Sequence, residues 1–125
     1  MRGASRRPYG QCTPALLGKD GTIMYLRIVT FGLDGVTPEQ YAEQATAVAG
    51  EFVGWPGLCA KYWLANEGAG RYGGVYVFAD KESADMSRTT PLFGALAENP
   101  AFTDLTINEY DTLSAPTAIT AGALR

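Results

Sequence analysis

The chain contains no histidine. That removes the commonest general base, every histidine-containing triad, and histidine ligation of zinc or haem. Cysteine is nearly as scarce. Cys12 lies in an irregular N-terminal stretch and Cys59 in a strand-like run. Two such residues make neither a disulfide framework nor a metal cluster, so a reduced, cytoplasmic setting is expected. Charged residues are 18% of the chain and the formal net charge is −3, which argues against a nucleic-acid partner. No apolar run reaches the ~18 residues needed to cross a bilayer. Arg2, Arg6 and Arg7 precede no apolar stretch, which argues against a secretory signal. Chemistry must therefore come from Asp, Glu, Lys, Tyr, Cys, Asn or Arg, from a bound cofactor, or from the substrate's own reactivity.

What is present is enough to fold. The 125 residues are 46% hydrophobic, which suits one domain with a real core. Residues 1–22 lack periodicity and read as a flexible extension, with the folded domain over 23–125. Met24 to Leu33 is a strand candidate. Thr37, Pro38 and Gln40 form a T-x-x-Q capping box with proline at the first helical position. The helix that follows carries Tyr41, Ala45, Val48, Ala49 and Phe52 on one apolar face, and Gly54, Pro56 and Gly57 stop it. Leu58 to Ala65 and Arg71 to Ala79 read as an antiparallel hairpin bent at Gly68 and Gly70. Asp80 caps a second helical segment, which Pro91 divides near Thr89–Thr90. Phe102 to Leu113 is the fourth strand, and a small, polar tail follows Ser114.

The order β-α-β-β-α-β predicts an α+β, ferredoxin-like fold with helices on one face of an antiparallel sheet. Both faces of that sheet read as apolar. Strand one offers Leu26 and Ile28 against Val29 and Phe31, and strand three Tyr76 and Phe78 against Val75 and Val77. A half-exposed sheet shows a polar outer face, so packing of two subunits, a homodimer, is expected. Arg27 and Lys61 then need partners or a wet edge.

The hairpin from Pro56 to Asp80 concentrates the chemistry. Tyr62, Trp63, Tyr72, Tyr76 and Phe78 crowd into it, with Lys61, Asn66, Glu67 and Arg71 among them. Period two puts Lys61 and Trp63 on one face and Tyr62 on the other. Gly73 and Gly74 inside a strand mark a bulge or a close backbone approach. Here the sequence resembles the YdhR-like monooxygenases of the dimeric α+β-barrel superfamily. The resemblance rests on Pro56-Gly57-Leu58, Lys61-Tyr62-Trp63, Asn66-Glu67, Gly73 to Phe78 with Asp80, and Glu82-Ser83-Ala84. It implies a homodimer whose sheets form a barrel, each subunit holding a pocket between helices and sheet. The implied reaction is oxygenation of a small aromatic or quinol by molecular oxygen, with no metal, flavin or other cofactor, in secondary metabolism.

The expected catalytic residues are Lys61, Trp63, Asn66 and Tyr76. Lys61 suits an oxyanion partner or a base with a desolvated amine, against a snorkelling or salt-bridged cation. Trp63 suits stacking on a planar substrate, and equally a core or interface role. Tyr76 and Tyr62 suit donation to a substrate oxygen, against a structural role at a cavity rim. Asn66 suits positioning of a carbonyl, against simple turn formation. Phe31, Tyr41, Phe52, Tyr62, Arg71, Met86 and Phe93 complete the expected substrate pocket; for the inward helical residues core packing explains the pattern as well. Glu67 reads as a rim base and Cys59 as a small buried residue. Two other activities stay open: a non-oxidative isomerase, cyclase or dehydratase on the same scaffold, and a non-catalytic ligand-binding dimer.

Overall fold

A computed structural model describes residues 24–123; the expected N-terminal extension lies outside them. Four strands and four helices follow in the order β1 (Tyr25–Leu33), α1 (Pro38–Phe52), β2 (Leu58–Asn66), a 3-10 turn (Glu67–Ala69), β3 (Arg71–Phe78), α2 (Lys81–Ser87), α3 (Pro91–Glu98), β4 (Phe102–Asp111) and α4 (Ser114–Ala123). The sheet order is β2-β3-β1-β4 and every pairing is antiparallel. This is the ferredoxin-like α+β fold.

Local chemistry sets the element ends. Thr37 Oγ1 accepts from the Gln40 backbone N–H at 3.0 Å, and the Thr37 N–H donates to Gln40 Oε1 at 2.9 Å. This reciprocal cap starts α1 beside the pre-set backbone of Pro38. Asp80 caps α2 by accepting from Ser83 N–H at 2.8 Å. Pro91 lacks the N–H that would continue α2, so the chain stops and restarts. Thr90 then caps α3, its Oγ1 accepting from Phe93 N–H at 3.1 Å. The division expected near Thr89–Thr90 is thus a full break between two helices. The tail expected after Ser114 is instead helical as α4. Its alanines favour helix, and Pro116 falls in the first turn, where no donor is needed.

The helices settle the ambiguity between the two apolar faces. Tyr25, Arg27, Val29 and Phe31 of β1 are buried beneath them, with Tyr76 and Phe78 of β3 and Leu58 of β2. Tyr41 and Phe52 of α1 and Ala84 of α2 close this core from above. The other face carries Leu26, Ile28, Val75 and Val77, all half-buried, and exposes Tyr62 at 62% and Tyr110 at 52%. The strand register runs one row across the whole sheet on the helix side: Lys61 opposite Tyr76, Tyr76 opposite Arg27, and Arg27 opposite Glu109. Close approach is also visible. Gly73 adopts φ +154°, and a Cβ there would run into the Val29 carbonyl oxygen, so only glycine lets β1 and β3 meet at this point.

Candidate active site

A cavity of about 170 Å³ lies between α1, α3 and the helix-facing side of the sheet. Strand parity delivers Lys61 and Trp63 of β2, Tyr76 of β3, and Val29 and Phe31 of β1 to its floor. Tyr41, Gln44 and Phe52 of α1, Leu92 and Leu96 of α3, and Asn99 and Phe102 beyond α3 complete the walls. The lining is mainly aromatic and aliphatic. Among the described residues Lys61 is its one charged residue.

The Lys61 ammonium nitrogen lies 3.4 Å from the Trp63 ring centre, 3.5 Å from that of Phe52 and 4.5 Å from that of Tyr76. Its stem reaches this position because Gly74 has no side chain: a Cβ there would stand 3.0 Å from Lys61 Cε. Among the described residues no oxygen accepts from Nζ and no carboxylate pairs with it. Rings attract a cation, but by less than the water they displace. Burial therefore lowers the Lys61 pKa to about 7, and near neutrality a large fraction of the side chain is a free amine.

The tyrosines behave in the opposite sense. Burial raises Tyr41 to about 12 and also raises Tyr76, against a lowering influence of Arg27. Both stay protonated and act only as hydroxyl donors and acceptors at neutral pH. Tyr76 is 2% exposed and Tyr41 8%, and neither hydroxyl has a hydrogen-bond partner among the described residues. Buried hydroxyls are normally paired; here they border the cavity. The rings are fixed by one another. Phe52 meets Trp63 edge-on at 5.6 Å, Tyr41 meets Phe31 edge-on at 5.8 Å, and Phe31 stacks on Phe102 at 4.0 Å.

Arg27, next along the same row, is placed quite differently. It is 0% exposed. Its Nε donates to Glu109 Oε2 at 2.8 Å, Nη1 to Ser87 Oγ at 3.0 Å, and Nη2 to the Ala84 carbonyl at 2.9 Å. Arg88 and the Tyr25 hydroxyl also reach Glu109. Burial would raise the Glu109 pKa, but the hydrogen bonds from Arg27 and Arg88 outweigh it and the net shift is downward. This network fastens α2 to the sheet.

Of the expected site residues, Phe31, Tyr41, Phe52, Lys61, Trp63 and Tyr76 are brought together around the cavity. The others are elsewhere. Tyr62 points to the opposite sheet face, as its parity requires. Arg71 also lies off the cavity, its Nη2 donating to Thr30 Oγ1 at 2.9 Å and to the Asp104 carbonyl at 3.1 Å. Asn66 caps the 3-10 turn, accepting from Ala69 N–H at 3.2 Å. Met86 is 55% exposed on α2. Phe93 lies over the Arg27 guanidinium at 5.1 Å instead of lining the cavity. Cys59, read as an inert buried residue, is half-buried and is not a free thiol, so scarce cysteine does not argue for a reducing setting. The sequence reading missed Gln44, Asn99 and Phe102. Gln44 and Phe102 carried a usable signal: Gln44 lies three residues after Tyr41 on α1, and Phe102 opens the strand paired with Phe31's strand. Among the described residues no group of side chains is arranged to hold a metal, and no helix is long and apolar enough to cross a membrane.

These features define a ferredoxin-like α+β protein with an aromatic, single-cation chamber under its helices. Residues 26–123 match the family described as "Putative mono-oxygenase ydhR", and the chain belongs to that family. No curated protein matches the chain. Solved structures share the fold at low identity. A protein of unknown function from Nitrosomonas europaea aligns with TM-score 0.63 and 18% identity over 75% of this chain and 93% of its own. A "putative antibiotic biosynthesis monooxygenase" from Caulobacter crescentus aligns with TM-score 0.60 and 14% identity, over 73% and 91%. The heme-degrader MhuD of Mycobacterium tuberculosis, with two hemes bound in its active site, aligns with TM-score 0.58 and 18% identity, over 71% and 95%.

Proposed function

We propose that the protein is a monooxygenase that uses molecular oxygen to oxidise an electron-rich aromatic or quinol-type substrate without a metal or flavin. The observation that carries this reading is Lys61, an amine in a hydrophobic chamber with no acid beside it among the described residues. Family membership supports the oxygenase class; the substrate chemistry is inferred from the chamber. Its volume is below the ~300–1,000 Å³ usual for drug-sized ligands, so the reacting part of the substrate is one or two rings.

In this reading the neutral Lys61 amine takes a proton from the ring CH2 of the keto (anthrone-type) tautomer of the bound substrate. The resulting carbanion passes one electron to oxygen, and the radical and superoxide combine to form a C–O bond. The Lys61 ammonium returns its proton to the peroxide. The hydroperoxide then loses water, taking the second hydrogen of that carbon, and leaves a carbonyl. One oxygen atom ends in the product and the other in water. Trp63 and Phe52 hold the ring plane, and Tyr76 donates to the developing oxyanion. Exclusion of water keeps the carbanion from simple reprotonation.

The second apolar sheet face supports a homodimer. Leu26, Ile28, Val75 and Val77 make a patch that a second copy would cover. Light scattering on the purified protein tests this; a monomer at all concentrations contradicts it. The activity is tested by oxygen uptake with metal-stripped protein across anthrones, quinols and naphthols, under air and under argon. Oxygen-dependent turnover with label from ¹⁸O₂ in the product is expected. Turnover that persists under argon contradicts oxygenation and favours a non-oxidative, base-catalysed reaction; tight binding without turnover favours a ligand-binding dimer.

A further inference from the structure

A second, larger cavity of about 460 Å³ adjoins the first, between α1 and the outer end of β2. Both cavities are walled by Tyr41, Ala45 and Trp63. Trp63 is 37% exposed and carries Lys61 on one side, so its ring is a partition between two compartments. Residues found only in the outer chamber include Ala42, Thr46, Glu67 and Tyr72. Tyr72 is 6% exposed and Tyr41 8%, their rings 5.4 Å apart. Neither hydroxyl has a hydrogen-bond partner among the described residues. Two hydroxyls without a partner among the described residues, that of Tyr41 buried and that of Tyr72 at the outer rim, mark a place for a polar ligand group, because leaving a buried one unpaired is costly.

We propose that the substrate is an extended aromatic of two linked ring systems, one in the inner chamber beside Lys61 and the other passing Trp63 into the outer chamber, with an oxygen function held by Tyr72 and Tyr41. This rests on the reading of the inner chamber as the reaction site. Glu67 at the outer chamber disfavours an anionic distal group, so the oxygen function is a hydroxyl or carbonyl. Volume decides against a compact substrate: the inner chamber alone holds one or two rings, whereas the outer one falls within the ordinary range for ligand sites.

Binding of 2-naphthol and of 6-(4-hydroxyphenyl)-2-naphthol, measured by calorimetry on the whole chain, tests the proposal. Wild type is expected to bind the biaryl at least about tenfold more tightly, the equivalent of ~1.4 kcal/mol. Ala42→Phe, which fills the outer chamber from an exposed helix position, is expected to remove that preference while leaving 2-naphthol binding unchanged. Tyr72→Phe is expected to weaken the biaryl alone by about fivefold, as for one lost hydrogen bond. Equal affinity for both compounds in wild type, no binding of either, or a preference that survives Ala42→Phe overturns the proposal. Oxygen uptake is read separately, so a biaryl bound as expected without oxygen consumption contradicts the monooxygenase reading and leaves the two-chamber site standing.

Discussion

Arg27 and Lys61 are neighbours of Tyr76 in one cross-strand row, yet they are solvated in opposite ways. Arg27 exchanges water for a carboxylate, a hydroxyl and a carbonyl. Lys61 exchanges it for three rings. A guanidinium keeps its charge under almost any conditions, so burying it demands oxygen partners. An ammonium can shed its proton, and burial without an acid makes it do so. One end of the row is thus a fixed structural cation. The other is an amine whose proton is free to move. The difference separates what holds α2 in place from what can act on a ligand.

The largest effect expected is on Lys61. Lys61→Met keeps an unbranched side chain, one atom shorter, and removes the amine. Substrate-dependent oxygen uptake should fall about 10²–10⁴-fold, while the urea midpoint at neutral pH rises, because the penalty on the buried amine is removed and none of the described residues loses a buried partner. A large loss of stability with activity retained would place Lys61 on the structural side of the comparison. Arg27→Met should show the reverse pattern. It leaves Glu109 and Ser87 without their main donor and should cost roughly 3 kcal/mol in urea unfolding, with Arg88 still available to Glu109. Loss of less than about 1 kcal/mol would remove the contrast.

Stability should also depend on pH at the Lys61 end. The folded pKa of about 7 lies below the ordinary lysine value of 10.5. Between those values the unfolded chain binds the extra proton, so stability rises with pH through this window and the penalty is complete below about pH 7. Lys61→Met should flatten that rise. Glu109 acts in the same sense at lower pH: its lowered pKa gives stability that is present above the ordinary carboxylate value and lost as pH falls through the folded value. The smallest expected effect is that of Ser87→Ala, which removes one acceptor from Arg27 Nη1 and should cost about 1–2 kcal/mol; no change would mean that Glu109 and the Ala84 carbonyl suffice.

The fold was legible where chemistry is local. The Thr37–Gln40 cap, the Pro91 break and the strand parity of Lys61, Tyr62 and Trp63 all follow from neighbours in sequence. The helix-covered face was not legible, since Val29 and Phe31 are no more apolar than Leu26 and Ile28. Arg27 is the residue that decides between them, and its partners Ser87 and Glu109 are distant in sequence. The tail was missed because α4 has no apolar period, only helix-favouring alanines. Within the candidate site, the hairpin was readable by period, so Lys61, Trp63 and Tyr76 were found together. Arg71, Asn66, Met86 and Phe93 were misplaced because each sits near the cavity in sequence but is turned elsewhere by a hydrogen bond, a cap, an outward helix position or the Arg27 guanidinium.

Titration of lysine ¹³Cε and ¹⁵Nζ signals by NMR, assigned through Lys61→Met, measures the central quantity directly. The account predicts a Lys61 pKa of about 7, with the pH dependence of kcat/KM rising to a plateau through the same value. A Lys61 that titrates near the ordinary 10.5 contradicts the account, because the chamber would then hold a permanent cation and no base.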